Sequence, residues 1–392
     1  MYCYTLLFFE QNLTPRVYQT TTRSNKTVTE QDFIPRKDEL GEHPDEGTIT
    51  WKSPSNIALV KYWGKKGNQI PANASISFTL SNCATTTSVF YERLANPVEK
   101  PSIRFFFEGK ENPQFGEKTI TFFEKMRPYF PFIDHYHFQI KTENSFPHSS
   151  GIASSASGMS AVALALTSLE NEHRSVWSDD AFHKKASFAA RIGSGSAARS
   201  VYGSMAMWGQ HQDYKGSSDL FAIPVTHTHQ VFKTFKDVIL LVDQGKKKVS
   251  STVGHGLLKG HPFGKNRYEV AQKNMSSILS ILKNGELEDF GKLVESEALM
   301  LHALMMTSNP YFILMKPNTL AIIEKIWDWR HETGQHLYFT LDAGANVHLL
   351  FPEDEEQIVM DFVKTELVAH CEDNNYICDH IGQGPALLTP EG

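Results

Sequence analysis

The chain has 392 residues, which is room for about two to three domains of ordinary size. Hydrophobic residues make up 41% and charged residues 21% of it, so it is typical of a globular protein, and bulk disorder and collagen-like repeats are excluded. The 38 lysines and arginines stand against 44 aspartates and glutamates, and the net charge of −6 excludes a global basic field for nucleic acid. A site for an anionic ligand therefore needs a local excess of positive charge.

The four cysteines, at positions 3, 83, 371 and 378, are too few and too scattered for a disulfide framework. They predict a reducing, cytoplasmic location. Residues 1–46 begin with a short apolar stretch and continue with polar residues of mixed charge, so we expect a poorly ordered extension there. No stretch reaches the ~18 uninterrupted apolar residues of a membrane span, and we expect no membrane partner.

Hydrophobic periodicity in the first half predicts a helix over 119–127 and strands over 48–53, 57–60, 75–80, 103–107 and 136–141. A small-residue loop then leads into predicted helices over 159–169 and 180–191, the second of them capped by Asp180. The second half predicts strands over 238–243, 337–341 and 347–351 and helices over 267–282, 287–306, 319–333 and 355–368. Strands and helices interleave without a regular βαβ cadence, so we expect an α+β fold with two domains, 47–225 and 226–392.

Acidic residues are absent from long windows that keep their basic ones. Three such windows span 47–91, 181–212 and 244–268, and a fourth, 144–169, contains no charged residue at all. Each window alone fits chance and a buried core. Together they indicate the walls of a cleft that receives an anion.

Asp342 is the only charged residue between Glu332 and Glu353, and it follows an apolar predicted strand. An aspartate at a strand end often caps the next turn through its own side chain. The other interpretation is a partly desolvated general base beside a cation. The residues alone leave both open.

The segment PHSSGIASSASG, residues 147–158, combines small residues with a following predicted helix. Its backbone amides and the helix N-terminus would bind an anion. Ser154, Ser155 and Ser157 could add hydroxyl donors or help hold a metal ion on the phosphates. The alternative is a serine-rich helix cap. The loop lacks the Gly-Lys-Ser/Thr ending of a Walker loop.

The segment RIGSGSAARS, residues 191–200, repeats this pattern with Ser194, Ser196 and Arg199. A guanidinium there would bind a carboxylate or phosphate with two parallel hydrogen bonds. The alternative is a glycine-interrupted helix junction with a solvated arginine.

The segment SPSNIALVKYWGKK, residues 53–66, places Lys61, Tyr62 and Lys65 after an apolar strand. Lysine ammoniums and a tyrosine hydroxyl suit a diphosphate group, whereas a solvated strand end is the alternative. Ser251, in GKKKVSST, lies in another acid-free window.

Six motifs occur in an order that resembles the diphosphomevalonate decarboxylases of the GHMP kinase superfamily, over roughly residues 48–388. They are SPSNIALVKYWGKK, PANASISFTL, NSFPHSSGIASSASG, RIGSGSAARSVYGS, KKKVSSTVG and TLDAGANV. The resemblance implies a two-domain GHMP-kinase-like fold with the active-site cleft between the domains, a homodimer, and an ATP- and Mg²⁺-dependent reaction. In that reaction (R)-5-diphosphomevalonate becomes isopentenyl diphosphate, with ADP, phosphate and CO₂ as co-products.

The same resemblance implies roles for residues of this chain. Asp342, Arg199, Lys61 and Ser251 would be catalytic, and Tyr62, Lys65, Ser194, Ser196 and Lys118 would bind the phosphorylated mevalonate. ATP would be bound by Pro147, Ser149, Ser150, Gly151, Ala153, Ser154 and Ser155, with Ser155 also near Mg²⁺. The alternatives on this fold are a 5-phosphomevalonate decarboxylase, a mevalonate-type 3-kinase and a non-catalytic metabolite sensor.

Overall fold

The computed structural model describes residues 28–36, 44–147, 152–171, 178–245 and 251–389, without the side chains of 251–253. The strands are β1 (Glu46–Val60), β2 (Ser75–Arg93), β3 (Ser102–Phe107), β4 (Lys110–Glu111), β5 (Tyr136–Asn144), β6 (Met205–Trp208), β7 (Ala222–Pro224), β8 (Lys236–Leu240), β9 (Tyr338–Leu341), β10 (Val347–Phe351), β11 (Tyr376–His380) and β12 (Ala386–Leu388). The α-helices are α1 (Pro113–Met126), α2 (Ser154–Asn171), α3 (Asp179–Gly193), α4 (Ser251–Gly256), α5 (Gly264–Asn284), α6 (Leu287–Met306), α7 (Pro317–Thr333) and α8 (Glu356–Phe362).

The first sheet has eight strands, in the order β12-β1-β2-β5-β3-β4, with β6 on β2 and β7 on β6. Its pairs are antiparallel except β3 with β5. Residues of α1, α2 and α3 pack with it in one apolar cluster that includes Phe123, Phe138 and Leu164. α2 is fully buried along most of its length, which explains why its sequence is apolar without helical periodicity.

The second sheet has four antiparallel strands in the order β11-β8-β10-β9. Residues of α6, α7 and α8 share its apolar cluster. Another cluster joins the two halves of the chain, because Ile57 and Phe78 of the first sheet share it with Ile239, Met275 and Phe290. The expected α+β architecture is confirmed.

The two halves are also connected by the chain's C-terminal strand. β12 pairs with β1, so residues that follow the second sheet return to the first. Among the described residues, no helix is both long and apolar enough to cross a membrane.

Within the extension expected over 1–46, residues 28–36 pack against α3. The Phe33 ring stacks on the Phe188 ring with centroids 4.0 Å apart. The backbone carbonyl of Phe33 accepts a 3.0 Å hydrogen bond from Lys185 Nζ. Glu30 forms a 3.1 Å ion pair with the fully buried Arg191. The contact depends mainly on two residues, Phe33 and Glu30, in a largely polar stretch. They produce no hydrophobic periodicity from which the contact could have been predicted.

Three predicted element boundaries are corrected. Strands 48–53 and 57–60 form one strand, whose register shifts between Pro54 and Asn56 because proline cannot donate to the ladder. α3 is capped by Ser178, whose side chain accepts from Ala181 N at 3.3 Å, rather than by Asp180. The helix expected over 355–368 is an α-helix only to Phe362, followed by a π-turn over Val363–Leu367.

Candidate active site

A cavity of about 830 Å³ lies where the two halves of the chain meet, which is a usual size for a small-molecule site. Its walls come from the end of β1, α1, the start of α2, the segment 192–199, and residues of the second half that include His255 and Asp342. Among the described lining residues the cations are Lys61, Lys65, Lys118, Lys125 and Arg199, and the one acid is Asp342. This charge distribution is suited to an anionic ligand in a protein whose net charge is −6.

Lys61 and Asp342 form the ion pair of this cavity. Each follows the last residue of a strand, Lys61 after β1 and Asp342 after β9, and Nζ lies 3.6 Å from Oδ1. The Lys61 side chain is 2% exposed and that of Asp342 is 27% exposed, so the carboxylate reaches the cavity. Burial lowers the pKa of Lys61, and the negative charges of Asp342 and Glu297 oppose that shift.

Arg199 lies in the short 3₁₀ helix Gly195–Val201 and is 2% exposed. Its guanidinium donates to Ser77 Oγ at 2.8 Å, to Ser75 Oγ, and to Asn56 Oδ1 at 3.3 Å. Ser75 and Ser77 are two residues apart on β2 and therefore lie on the same face of the strand. Burial lowers the pKa of Arg199 to about 10 while the charge of Asp342 opposes the shift. These neutral partners orient the cation without neutralising it.

Both polar atoms of the Asn56 side-chain amide form hydrogen bonds in this region. Its Oδ1 accepts from Arg199, and its Nδ2 donates to Ser200 Oγ at 2.7 Å and to Ser196 O at 3.2 Å. The side chain therefore fixes the segment that carries Arg199 against β1. Sequence reasoning missed Asn56, since an asparagine in a strand gives no signal of its partners.

The start of α2 opens into the cavity, with Ala153, Ser154 and Ser155 in its wall. Ala153 has a φ of +47°, in the left-handed region, where the chain turns into the helix. Ser155 Oγ lies 3.5 Å from Ser194 Oγ. Helix N-terminal amides and neutral hydroxyls are groups suited to binding phosphate oxygens.

Three lysines extend the positive wall. Burial lowers the pKa of Lys65, and the nearby charge of Lys125 lowers it further. Lys118 and Lys125 both line the cavity from α1. Sequence reasoning found Lys118 and missed Lys125, although their separation of seven residues places them on one helical face.

Tyr62, Trp63 and His255 form an aromatic group in the same wall. The His255 ring lies 4.5 Å from both the Tyr62 and the Trp63 ring centroids, and its Nδ1 accepts from Gly64 N at 2.9 Å. Burial, helped by the charge of Lys65, lowers the pKa of His255 to about 3, so its ring is neutral. Burial raises the pKa of Tyr62, whose hydroxyl has no hydrogen-bond partner in the described part of the chain.

Most sequence-predicted site residues meet in this cavity: Lys61, Tyr62, Lys65, Lys118, Ala153, Ser154, Ser155, Ser194, Ser196, Arg199 and Asp342. Pro147 is exposed at the end of the described segment 44–147 and is not among the described residues that line the cavity, so its expected contact with ATP stays a prediction. Ser149, Ser150 and Gly151 lie outside the described residues, as does the Ser251 side chain. The helix that begins at Ser251 carries His255 into the cavity wall.

Comparisons with known proteins give one family for both halves of the chain. Residues 53–221 match the diphosphomevalonate decarboxylase-like N-terminal domain, and residues 237–386 match the mevalonate 5-diphosphate decarboxylase C-terminal domain. The diphosphomevalonate decarboxylase of Saccharomyces cerevisiae is 28% identical over 337 residues, which cover 81% of each chain.

Solved structures show the same fold. The mevalonate diphosphate decarboxylase of Staphylococcus aureus superposes with a TM-score of 0.75 at 28% identity, covering 88% of this chain and 98% of that one. MDDEF in complex with MVAPP, AMPPCP and magnesium gives a TM-score of 0.73 at 26% identity, covering 88% of this chain and 99% of that one. The chain therefore belongs to the diphosphomevalonate decarboxylases of the GHMP kinase superfamily, ATP-dependent carboxy-lyases of the mevalonate pathway.

Proposed function

We propose that Asp342, Lys61 and Arg199 are the catalytic residues with which this chain converts (R)-5-diphosphomevalonate to isopentenyl diphosphate, consuming ATP and releasing ADP, phosphate and CO₂. The observation that carries this proposal is the Lys61–Asp342 ion pair at 3.6 Å, in a cavity that Arg199 also lines. A lone acid beside two buried cations suits proton removal from an alcohol that becomes phosphorylated.

Phosphoryl transfer comes first. Asp342 accepts the proton of the substrate 3-hydroxyl while that oxygen bonds to the γ-phosphorus of ATP and the bond to the ADP oxygen breaks. Lys61 holds the carboxylate by its ion pair and places positive charge beside the reacting oxygens. Positioning of the reactants and neutralisation of charge account for most of the rate acceleration in such a phosphoryl transfer.

Decarboxylation follows, with Arg199 orienting the substrate carboxylate. The bond from the carboxylate carbon to its neighbour breaks, the electron pair forms the new double bond, and the phosphorylated oxygen leaves with its phosphate. Ser75, Ser77 and Asn56 fix the guanidinium, so the carboxylate can be held where its breaking bond is aligned with the leaving phosphate.

The nucleotide would be bound at the start of α2 by the amides and hydroxyls of Ala153, Ser154 and Ser155. The hydroxyl oxygens of Ser155 and Ser194 are neutral ligands of the kind that Mg²⁺ accepts. They would supplement the phosphate oxygens of the nucleotide, which would be the main ligands of the ion. Bound Mg²⁺ supplies neutralisation of the phosphate charge that develops during transfer. Tyr62, Lys65, Lys118, Ser194 and Ser196 then bind the phosphorylated mevalonate.

We assign residues 47–225 and 226–392 to the two domains, and Ser251 to the catalytic group by its resemblance to the family. A homodimer is likewise expected from the family. The cysteines predict a cytoplasmic location, and Cys83, Cys371 and Cys378 are free thiols in the described part of the chain.

Product analysis tests the proposed reaction. Purified protein with ATP, Mg²⁺ and either 5-diphosphomevalonate or 5-phosphomevalonate is assayed for ADP and CO₂ separately. We expect equal amounts of ADP and CO₂ from the diphosphate and a lower kcat/KM for the monophosphate. ADP without CO₂ would indicate a 3-kinase, and neither product would indicate a metabolite sensor.

A further inference from the structure

The backbone of Lys61 is held by a buried ion pair from the second half of the chain. The Glu297 carboxylate, on α6, accepts from Lys61 N at 2.8 Å and from Arg267 at 2.5 and 3.0 Å. Asn274 Nδ2 donates to the same carboxylate at 2.6 Å. Glu297 is 0% exposed, and a buried carboxylate is tolerated because it is paired and fully hydrogen-bonded.

The carbonyl of Lys61 is held by the same network. Arg267, on α5, donates to Lys61 O at 3.2 Å, and Asn73 donates to it at 3.1 Å. Both polar backbone groups of Lys61 are therefore fixed by side chains at the point where β1 ends. A residue immediately after a strand no longer has the sheet's hydrogen bonds to fix its backbone. These bonds from side chains therefore determine the position of the Lys61 backbone, and with it the position from which its side chain extends.

Asp342 is held by α6 as well, through His302. The ring Nε2 lies 3.1 Å from the Asp342 carbonyl oxygen, and His302 is 1% exposed. Burial lowers the pKa of His302 to about 4, so the ring is neutral and Nε2 carries the proton that the carbonyl accepts. Glu297 and His302 are five residues apart, which is about 7.5 Å along one helix.

We propose that Glu297 and His302 are positioning residues that set the distance between Lys61 and Asp342 from a single rigid helix, with Arg267 as the counter-ion of Glu297. This inference rests on the catalytic roles proposed for Lys61 and Asp342. Neither side chain lines the cavity, so each acts on the reaction through the backbone of its partner. α6 thereby couples a strand end of the first sheet to a strand end of the second.

Glu295 supplies a matched control on the same helix. It is 6% exposed, forms a 2.6 Å ion pair with Arg330, and accepts from Trp327 at 3.0 Å. It therefore resembles Glu297 in burial and in pairing with an arginine, but its partners are Trp327 and Arg330 on α7 and Phe339 N on β9 rather than Lys61. Glu295→Gln should lose stability and keep wild-type kinetics.

The test is steady-state decarboxylation of 5-diphosphomevalonate by Glu297→Gln, His302→Gln and Glu295→Gln, with unfolding curves for each. We expect kcat to fall at least fivefold in the first two variants, with KM for ATP within threefold of wild type, and to stay unchanged in Glu295→Gln. His302→Gln keeps a side-chain donor and loses the ring's fixed geometry. If Glu297→Gln does not fold, the kinetics of His302→Gln alone test the positioning role.

The pH profile of kcat supplies a readout that stability alone does not move. The charges that act most strongly on Lys61 are those of Asp342, Glu297 and Arg199. Asp237 and His302 are also coupled to it, and Arg267 contacts its carbonyl. Removing the Glu297 charge removes a contribution that raises the Lys61 pKa, so the alkaline limb of kcat should move to lower pH in Glu297→Gln.

If Glu297→Gln and His302→Gln both match Glu295→Gln in kcat and in the pH profile of kcat, the positioning role is overturned, whereas the proposed reaction is not. A wild-type protein that releases no CO₂ would instead overturn the proposed function.

Discussion

The Lys61 ammonium lies 3.6 Å from the Asp342 carboxylate, although Lys61 follows a strand of the first sheet and Asp342 follows a strand of the second. The pair therefore exists only when the two halves of the chain are correctly packed. Because Asp342 keeps 27% of its side chain exposed while Lys61 keeps 2%, a ligand in the cavity meets the carboxylate with the ammonium behind it.

Arg199→Lys should lower kcat/KM for 5-diphosphomevalonate at least a hundredfold and leave nucleotide affinity within threefold. A lysine ammonium is a point charge that cannot reproduce the fork bound by Ser77, Ser75 and Asn56. Steady-state kinetics and nucleotide titration measure the two effects. Arg104→Lys, at an exposed arginine that pairs with Glu111, is the control and should behave as wild type. A kcat/KM within threefold of wild type in Arg199→Lys would reject its proposed role.

Phe33→Ala should lower the free energy of unfolding by about 2–4 kcal/mol, because the ring is buried against Phe188 and Phe221. Urea unfolding followed by fluorescence measures the change. Ile34→Ala is the neighbouring control, since Ile34 is 37% exposed and its truncation should cost less than about 1 kcal/mol. Equal losses in the two variants would contradict the packing described for residues 28–36.

Local sequence patterns predicted some elements closely and could not predict others. The periodic helix over 287–306 and the apolar strand over 347–351 match α6 and β10 because their own residues determine them. The return of β12 to β1 and the π-turn after Phe362 depend on tertiary contacts that leave no local periodicity. Asp342 was found from its isolated charge and Arg199 from the glycine- and serine-rich segment 191–200. Asn56 and Glu297 instead act through partners far along the chain.

His255 should make the protein less stable in acid. Its pKa is about 3 in the folded chain against 6.5 ordinarily, so between these values the unfolded chain binds a proton that the folded chain does not. Stability therefore falls as pH drops from about 6.5, by up to about 1.4 kcal/mol per pH unit.

His255→Asn removes this titration while its Oδ1 can still accept from Gly64 N. Between pH 7 and pH 5 the variant should lose about 2 kcal/mol less than wild type in urea unfolding. His331→Asn, at an exposed histidine, should lose as much as wild type. The same pH sensitivity in His255→Asn and wild type would show that His255 does not titrate as described.

The most direct test of the account is CO₂ release from 5-diphosphomevalonate by Asp342→Asn. We expect kcat to fall at least a thousandfold, with nucleotide affinity within threefold of wild type and a cooperative unfolding transition that shows an intact fold. Asparagine keeps the size and the backbone contact to His302 but cannot take up the 3-hydroxyl proton. A kcat within tenfold of wild type would contradict the role of Asp342 as the base, and loss of folding would show that it is a structural turn cap.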